Sequence, residues 1–339
     1  MSLSRWLMRI WYQPEGNALW ALRPLEYLYR QVVSRRARIG RAGDLSPVPV
    51  IVVGNLTLGG TGKSPLVAWL ARFLDDQGWR PGIVSRGYGG TSATYPVRVT
   101  ADSAPSLVGD EPVMLARQTG VPVAVSPRRS EAVQRLVDEG CTIIISDDGL
   151  QHHKMARDVE LVVVDGVLGF GNRRCLPCGP LREPLSRLAS VDAVVVNGTE
   201  AALAALKAHN PMLHPAGFSM TLVPRRFRQL TTGDTVDVDS ALFLTEVHAV
   251  AGIGRPERFF ESLRTLGVKA VPHAFSDHHA FTAADLDFGD ERPVVMTAKD
   301  AVKCSAFATA RCWALEVDAE PTEAFVLFLQ QRLAALPPR

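Results

Sequence analysis

The stretch Gly54-Asn55-Leu56-Thr57-Leu58-Gly59-Gly60-Thr61-Gly62-Lys63-Ser64 sets a glycine-rich turn ahead of a lysine and a hydroxyl. The residues before it, Val50-Ile51-Val52-Val53, are apolar and β-branched, the composition of a parallel strand covered on both faces. After Ser64, the apolar residues Leu66, Trp69, Leu70 and Phe73 recur at helical spacing, and Pro65 suits a first helical turn, where no backbone donor is needed. A glycine-rich junction between such a strand and such a helix is the setting of a P-loop. Backbone N–H groups from Thr57 and from Gly59, Gly60, Thr61 and Gly62 are expected to converge on phosphate oxygens. Lys63 is expected to reach the β and γ phosphates, and the Ser64 hydroxyl to hold Mg²⁺. The spacing G-x-x-x-x-G-K-[ST] asks for glycine where this chain has Thr57, so a flexible αβ connection is the plain alternative. A dinucleotide fingerprint fits less well, because Gly60-Thr61-Gly62 is followed by Lys-Ser-Pro without a third glycine.

At 339 residues, with 47% hydrophobic and 21% charged, the chain is globular and long enough for two α/β domains. Five irregularly spaced cysteines fit a reduced cytosolic compartment, and Cys175-Leu-Pro-Cys178 lacks the second pair that a zinc site of this type needs. The net charge of +2 hides an asymmetry: residues 1–41 hold eight arginines against two glutamates, which leaves the remainder of the chain at −4. A nucleic-acid surface is not supported, since it needs Lys and Arg spread over the binding face.

The first 41 residues also hold Trp6, Trp11 and Trp20, with Tyr12, Tyr27 and Tyr29. A membrane span would need roughly 20 uninterrupted apolar residues, and Arg9, Glu15, Arg23 and Pro24 break the run. What remains is Ala18, Leu22, Leu25, Tyr29 and Val32-Val33 on one helical stripe, followed by Arg35, Arg36, Arg38 and Arg41. That pattern suits a helix lying on an anionic bilayer; the plain alternative is a helix packed on the core with a solvated basic end.

From Val48 to about Val196 the order is strand, loop, helix, repeated. Ile83-Val84-Ser85 enters Arg86-Gly-Tyr-Gly-Gly90, Val121 to Val125 enters Ser126-Pro-Arg-Arg129, and Cys141 to Ser146 enters Asp147-Asp148. In open α/β sheets ligands gather beyond the carboxyl ends of the strands, where each of these polar clusters falls. Asp147 closing an apolar strand downstream of a P-loop fits the Walker-B arrangement, with an acidic oxygen near Mg²⁺, while a helix N-cap is the plain alternative for a strand-end aspartate. Gly109-Asp110-Glu111-Pro112 is a second acidic pair, in a loop. Pro211, Pro215 and Gly217 mark a boundary, after which Val247 to Ala251 with Gly252-Ile-Gly254, and Pro293 to Met296 with Thr297-Ala-Lys299-Asp300, form a second α/β unit. Between them, Asp277-His278-His279 is a compact group of titratable residues, too short a run to complete a tetrahedral metal site alone.

Taken together, these motifs resemble the tetraacyldisaccharide 4'-kinase family. The resemblance covers the aromatic N-terminus, the glycine-rich loop, Ser85-Arg-Gly-Tyr-Gly89, Gly109-Asp-Glu-Pro112, Ser126-Pro-Arg-Arg-Ser130, Asp147-Asp-Gly-Leu-Gln-His152 and Arg157-Asp158. It continues through Gly179-Pro-Leu-Arg-Glu183, Val191-Asp192, Asn197-Gly198, Gly252-Ile-Gly254, Asp277-His278 and Thr297-Ala-Lys-Asp-Ala-Val-Lys303. Thr57 is what this family carries; Ala298, where the family usually has Glu, and Cys178, where Ala is common, depart from it.

The resemblance implies a P-loop NTPase-like parallel-sheet core at residues 42–215, a second, smaller α/β domain at 216–339 and an N-terminal interfacial helix within 1–41. It implies ATP and Mg²⁺, an acylated glucosamine disaccharide 1-phosphate as acceptor, and a peripheral place on the cytoplasmic face of the bacterial inner membrane. By the same resemblance Asp110 is the base for the 4'-hydroxyl with His278 as its partner, and Ser64, Glu111, Asp147 and Asp148 surround the metal. Arg129, Gln151, His152, Arg182 and Glu183 lie near the acceptor, and guanidinium geometry suits Arg129 and Arg182 to its 1-phosphate. The reading from another class is a membrane-associated P-loop NTPase switch with a protein partner. Thr297-Ala-Lys299-Asp300 resembles a guanine reader, but its Lys and Asp are adjacent where that motif separates them by one residue.

Overall fold

The structure is a computed structural model and describes residues 3–12, 17–40, 45–210, 216–239 and 245–336. In chain order the helices are α1 (Leu3–Trp11), α2 (Arg23–Gly40), α3 (Lys63–Asp76), α4 (Pro105–Val108), α5 (Asp110–Thr119), α6 (Arg129–Asp138), α7 (Glu200–His209), α8 (Pro256–Thr265), α9 (Ala298–Cys304) and α10 (Glu323–Ala334). The strands are β1 (Val50–Gly54), β2 (Pro81–Ser85), β3 (Val97–Val99), β4 (Val123–Val125), β5 (Ile143–Asp147), β6 (Val159–Asp165), β7 (Ala193–Asn197), β8 (Gly217–Gln229), β9 (Thr235–Asp237), β10 (Val247–Ala251), β11 (Ala270–Ala274), β12 (Val294–Thr297) and β13 (Cys312–Pro321).

The described strands form one sheet in the order β11-β10-β12-β13-β8-β7-β6-β1-β5-β2-β4-β3, with β9 paired on β8. β1 is central, parallel to β5 on one side and β6 on the other, and all its residues are buried, as its β-branched run predicts. The register sets Val53 opposite Asp147 and Gly54 opposite Val162. Strand pairing therefore delivers the glycine-rich loop and the Asp147-Asp148 doublet side by side, from residues far apart in the chain.

One face of β1, β5 and β6 is covered by α3, whose Leu66, Leu70 and Leu74 are fully buried. Each such side chain contributes about 1.5–3 kcal/mol relative to exposure, so α3 is fixed as a rigid support for the loop at its N-terminus. The opposite face packs Val162, Val194 and Val196 against Leu188, Leu203 and Phe170.

The expected boundary at 215/216 falls on residues 211–215, outside the described residues. On its two sides the strands belong to the same sheet: β7 and β8 pair in parallel, Asn197 opposite Met220. β8 then runs antiparallel to β13, with an irregularity between Glu316 and Val317 where Pro224, which has no amide donor, sits. Beyond β13 the parallel pattern resumes through β12, β10 and β11.

The N-terminal region divides into two environments. Trp11 is 5% exposed and ties into the body, donating from Nε1 to the Pro177 carbonyl at 3.1 Å. Trp20, at 70% exposed, and Trp6 remain in solvent. On α2 the inward face carries Glu26, Tyr29, Val33 and Ala37. Glu26 accepts from the Cys175 amide at 2.9 Å, and the Tyr29 hydroxyl donates to the Arg182 carbonyl at 2.9 Å. The outward face carries Leu25, Leu28, Val32 and Ile39, with Arg23, Arg30, Arg35, Arg36 and Arg38 also exposed. The expected stripe is thus split by a rotation of the helix: Leu25 and Val32 face outward, while Tyr29 and Val33 face the body. The side chains of Arg5, Ala18 and Arg41 lie outside the described residues. No helix among the described residues is long and apolar enough to cross a membrane.

Candidate active site

Gly62, directly before α3, has φ +95°, and a Cβ there would lie 2.6 Å from Asn197 Nδ2. No side chain caps the helix, so its first N–H groups remain available to an anion. The loop is braced from within. Asn55 Nδ2 donates to the carbonyls of Thr57 (2.8 Å) and Gly59 (3.3 Å), and Asn197 Nδ2 donates to the Thr61 carbonyl at 3.1 Å. Thr57 is not among the residues with positive φ, so the backbone makes no demand for glycine there. The Thr61 hydroxyl is buried with no hydrogen-bond partner.

Beside the loop lies a charged network. Lys63 Nζ is 3.6 Å from Asp148 Oδ1, and Arg182 forks both Asp148 oxygens at 2.9 and 3.0 Å. Burial opposes charge on Asp148, but Lys63 and Arg182 outweigh it and hold the carboxyl well below the usual range. Asp148 has φ +49°, a conformation uncommon outside glycine. Arg129 is buried beneath this turn, donating to the Ser146 hydroxyl at 2.7 Å and to the Asp148 carbonyl at 2.9 Å. Asp147 is the opposite case. It is 1% exposed, and neither carboxylate oxygen has a hydrogen-bond partner. Burial first, then Glu111 and Asp148, pushes its carboxyl up to about 7. An unpaired buried carboxylate is costly unless a cation completes it, so the donor set fits a hard cation such as Mg²⁺.

Gln151 connects this network to its surroundings. It donates to the Asn55 carbonyl (3.2 Å) and to Glu183 (3.0 Å) and accepts from Arg182 (2.9 Å). Glu183 is buried between Gln151, His153 and Arg187, and burial raises its carboxyl. His152 is half-buried; burial, then Arg129 and Arg157, lowers its imidazole to about 4, which leaves it neutral near pH 7.

Asp110 opens α5 after Gly109, whose φ of +91° and close approach to the Tyr88 carbonyl leave no room for a Cβ. Asp110 Oδ2 lies 3.8 Å from His278 Nδ1 and 3.7 Å from Lys303 Nζ. His278 packs against the Tyr88 ring, with centroids 5.5 Å apart. Neighbouring Glu111 accepts from Lys299 Nζ at 3.2 Å. α9 thus brings two lysines to the acidic pair, and buried Asp300 anchors that helix by accepting from the Gly252 amide (2.9 Å) and Lys303 (3.0 Å). Asp165 at the end of β6 binds Arg255 (2.9 Å) and Arg258 (2.8 Å) of the second half.

Lys63, Asp147 and Asp148 therefore form one cluster, contiguous with Gln151, Arg182 and Arg129. Asp110 and His278 form an adjoining one, linked to it through Glu111. His279 turns away to Asp285 (3.3 Å), and among the described residues no three His, Cys, Asp or Glu side chains converge as a ready-made metal cage. Asn55, Asn197, Lys299 and Lys303 carry site contacts that motif reading left without a role. All four lie inside motifs already singled out, so their place in those motifs was the available signal.

The family model described as tetraacyldisaccharide-1-P 4'-kinase, LpxK, matches residues 18–334. The chain belongs to this kinase family. The tetraacyldisaccharide 4'-kinase of Alkalilimnicola ehrlichii is 51% identical over 335 residues, covering 98% of this chain and 96% of the relative. That of Ectopseudomonas mendocina is 48% identical over 343 residues, covering 100% and 99%. A crystal structure of LpxK from Aquifex aeolicus in complex with ATP superposes with a TM-score of 0.74 at 29% identity, covering 92% of this chain and 98% of that one. The guanine-reader alternative for Thr297 to Asp300 is not favoured: Asp300 is spent on Gly252, Thr297 and Lys303.

Proposed function

We propose that the protein transfers the γ-phosphoryl group of ATP to the 4'-hydroxyl of a tetraacyldisaccharide 1-phosphate, giving lipid IVA in lipid A biosynthesis. The observation that carries this reading is the meeting of two parts: a P-loop with uncapped helix amides and Lys63 beside the Asp147-Asp148 doublet, and a buried carboxylate, Asp110, whose Oδ2 makes no hydrogen bond and whose neighbour Glu111 acts on Asp147.

Phosphoryl transfer depends mainly on positioning and charge neutralisation. In this proposal the amides of Thr57 and Gly59 to Ser64, with Lys63, hold the phosphates of ATP. Ser64 and Asp147, with Glu111 and Asp148 beside them, would hold Mg²⁺, which would supply positive charge to neutralise the phosphates. Asp147 is assigned the direct contact, because Asp148 is already satisfied by Arg182 and Lys63. The 4'-oxygen forms a bond to the γ-phosphorus as the bond from that phosphorus to the β-γ bridging oxygen breaks, and ADP leaves. The hydroxyl proton passes to Asp110, with His278 orienting that carboxylate and sharing the proton. Gln151, His152 and Glu183 belong to the acceptor side. Arg129 and Arg182 act there by holding Asp148, since both guanidinium groups are engaged with it.

The acceptor's acyl chains place the reaction at a membrane. The outward face of α2, with Leu25, Leu28, Val32 and Ile39 among exposed arginines, is proposed to rest on the cytoplasmic face of the inner membrane, peripherally. Residues 42–215 are proposed as the kinase core and 216–339 as the second unit, which supplies His278 and Lys303. The test is to incubate the protein with γ-labelled ATP, Mg²⁺ and the disaccharide 1-phosphate. Label in the lipid, with a mass gain of one phosphate, is expected; phosphate release regardless of lipid is the behaviour of a switch and would overturn the reading.

A further inference from the structure

The P-loop is braced on one side by residues that precede the segment matched by the family model. Trp11 is locked in place by its Nε1 bond to Pro177 and by its carbonyl, which accepts from the Asn172 amide at 2.7 Å. This fixes where the next residue stands. Tyr12 and Met8 face a cavity whose other walls include Thr57, Thr61, Asp165 and Arg255. Met8 Cε lies 3.7 Å from where a Cβ on Gly59 would be. Tyr12 and Thr57 line this cavity together, and burial pushes the Tyr12 phenol up to about 12. Thr57 itself is buried and pairs through its backbone with Leu181.

We propose that Tyr12 is a positioning residue of the nucleotide site, its hydroxyl hydrogen-bonding the Thr57 hydroxyl across the wall of the cavity they share and so holding the P-loop in its phosphate-binding form. A threonine where the standard loop has glycine provides a side-chain handle that glycine lacks. Asn55 and Asn197 grip carbonyls within the loop from the strand side, and Tyr12 grips the remaining corner. Without that grip the loop spends part of its time outside its binding form, and apparent ATP affinity falls in proportion to the competent fraction. Lys63, Asp110 and His278 are untouched by the change, so turnover of bound ATP is affected less.

The inference rests on the phosphoryl-transfer reading, and the two fail differently. In the full chain, Tyr12→Phe, Thr57→Val and the double variant are compared with wild type for kcat, KM for ATP, direct ATP Kd by calorimetry, and melting temperature. Tyr12→Phe, which keeps the ring, is expected to raise KM and Kd for ATP by roughly threefold to tenfold, the value of one hydrogen bond. A smaller change in kcat is expected. Thr57→Val should weaken ATP binding from the other side of the same bond, and the double variant should be no worse than the weaker single one. Unchanged ATP parameters in Tyr12→Phe, with or without a lowered melting temperature, would overturn the proposal and leave the ring as packing; multiplicative losses in the double variant would do the same. A wild-type protein that takes no ATP at all would instead remove the reading on which it rests.

Discussion

Asp110 Oδ2 stands 3.8 Å from His278 Nδ1, although one residue opens a helix of the first half and the other follows a strand of the second. The separation exceeds a hydrogen bond, as is common where acid-base contacts tighten only around bound substrate. His278 holds φ +59°, a conformation uncommon for a residue with a side chain, so its placement is imposed by the surrounding loop. Asp110→Ala and His278→Ala are each expected to lower kcat by about 10² or more, the range of acid-base groups. KM for ATP should change less. Coupling of the pair predicts a double variant little below the worse single one. Fully multiplicative losses, measured in the same lipid-phosphorylation assay, would refute the coupling.

Asp147 and Asp148 are neighbours with opposite environments, and their variants should separate accordingly. Asp147→Asn removes a buried carboxylate that has no protein partner. It should raise the Mg²⁺ concentration for half-maximal activity by at least roughly tenfold, with a melting temperature equal to wild type or higher. Asp148→Asn breaks the Arg182 fork and the Lys63 pair. With a third of the Asp148 side chain exposed, solvent screening limits the stability loss to about 1 kcal/mol. Equal metal dependence in the two variants would remove Asp147 as the direct ligand.

Lys63→Ala should abolish transfer while preserving the fold, since Lys63 is bound to Asp148 and contributes nothing to the apolar core. Near wild-type turnover in a folded variant would withdraw the P-loop assignment.

The central sheet was legible because it is written in one idiom: β-branched runs ending in polar turns, as in β1, β5 and β6. β8 was not. Its thirteen residues carry Pro224, Arg225, Arg226 and Arg228, a composition that reads as loop. It is a strand because Glu316 of β13 pairs with Arg226 and Arg228, a tertiary fact with no local signature. The same holds at the site. Lys63 and Asp147 announce themselves by position in a motif, whereas the roles of Asn197 and Lys303 come from which element lies opposite. The engagement of Arg129 and Arg182 with Asp148 likewise could not be read from the chain, since an arginine in a motif looks the same whether it faces a ligand or a neighbour.

The three N-terminal tryptophans share a composition argument but not an environment. Trp6→Ser and Trp20→Ser alter exposed rings and should weaken co-sedimentation with anionic vesicles without lowering the melting temperature. Trp11→Ser empties a buried site and should cost about 3–5 kcal/mol of stability. Deleting the first forty residues should impair ATP binding as well as lipid use, because Met8 and Tyr12 wall the P-loop cavity. Vesicle binding unchanged by the Trp6 and Trp20 substitutions would count against the bilayer-facing role of this region.

His152 ties acid sensitivity to the site. Burial, then the charges of Arg129, Arg157 and Arg86, lowers its imidazole from 6.5 to about 4. Between those values the unfolded chain binds a proton that the folded chain refuses, so the unfolded state binds more protons and stability falls as pH drops through that window. Above about pH 6.5 both states are neutral at this residue and it contributes no pH dependence. Wild type should therefore lose more stability than His152→Gln on going from pH 6.5 to 4, a difference that cancels the carboxylates common to both. The imidazole C2 proton of His152, followed by NMR, should show its midpoint near 4. A midpoint near 6.5, or identical pH profiles for the two proteins, would mean that neither burial nor the charges of Arg129, Arg157 and Arg86 act on His152.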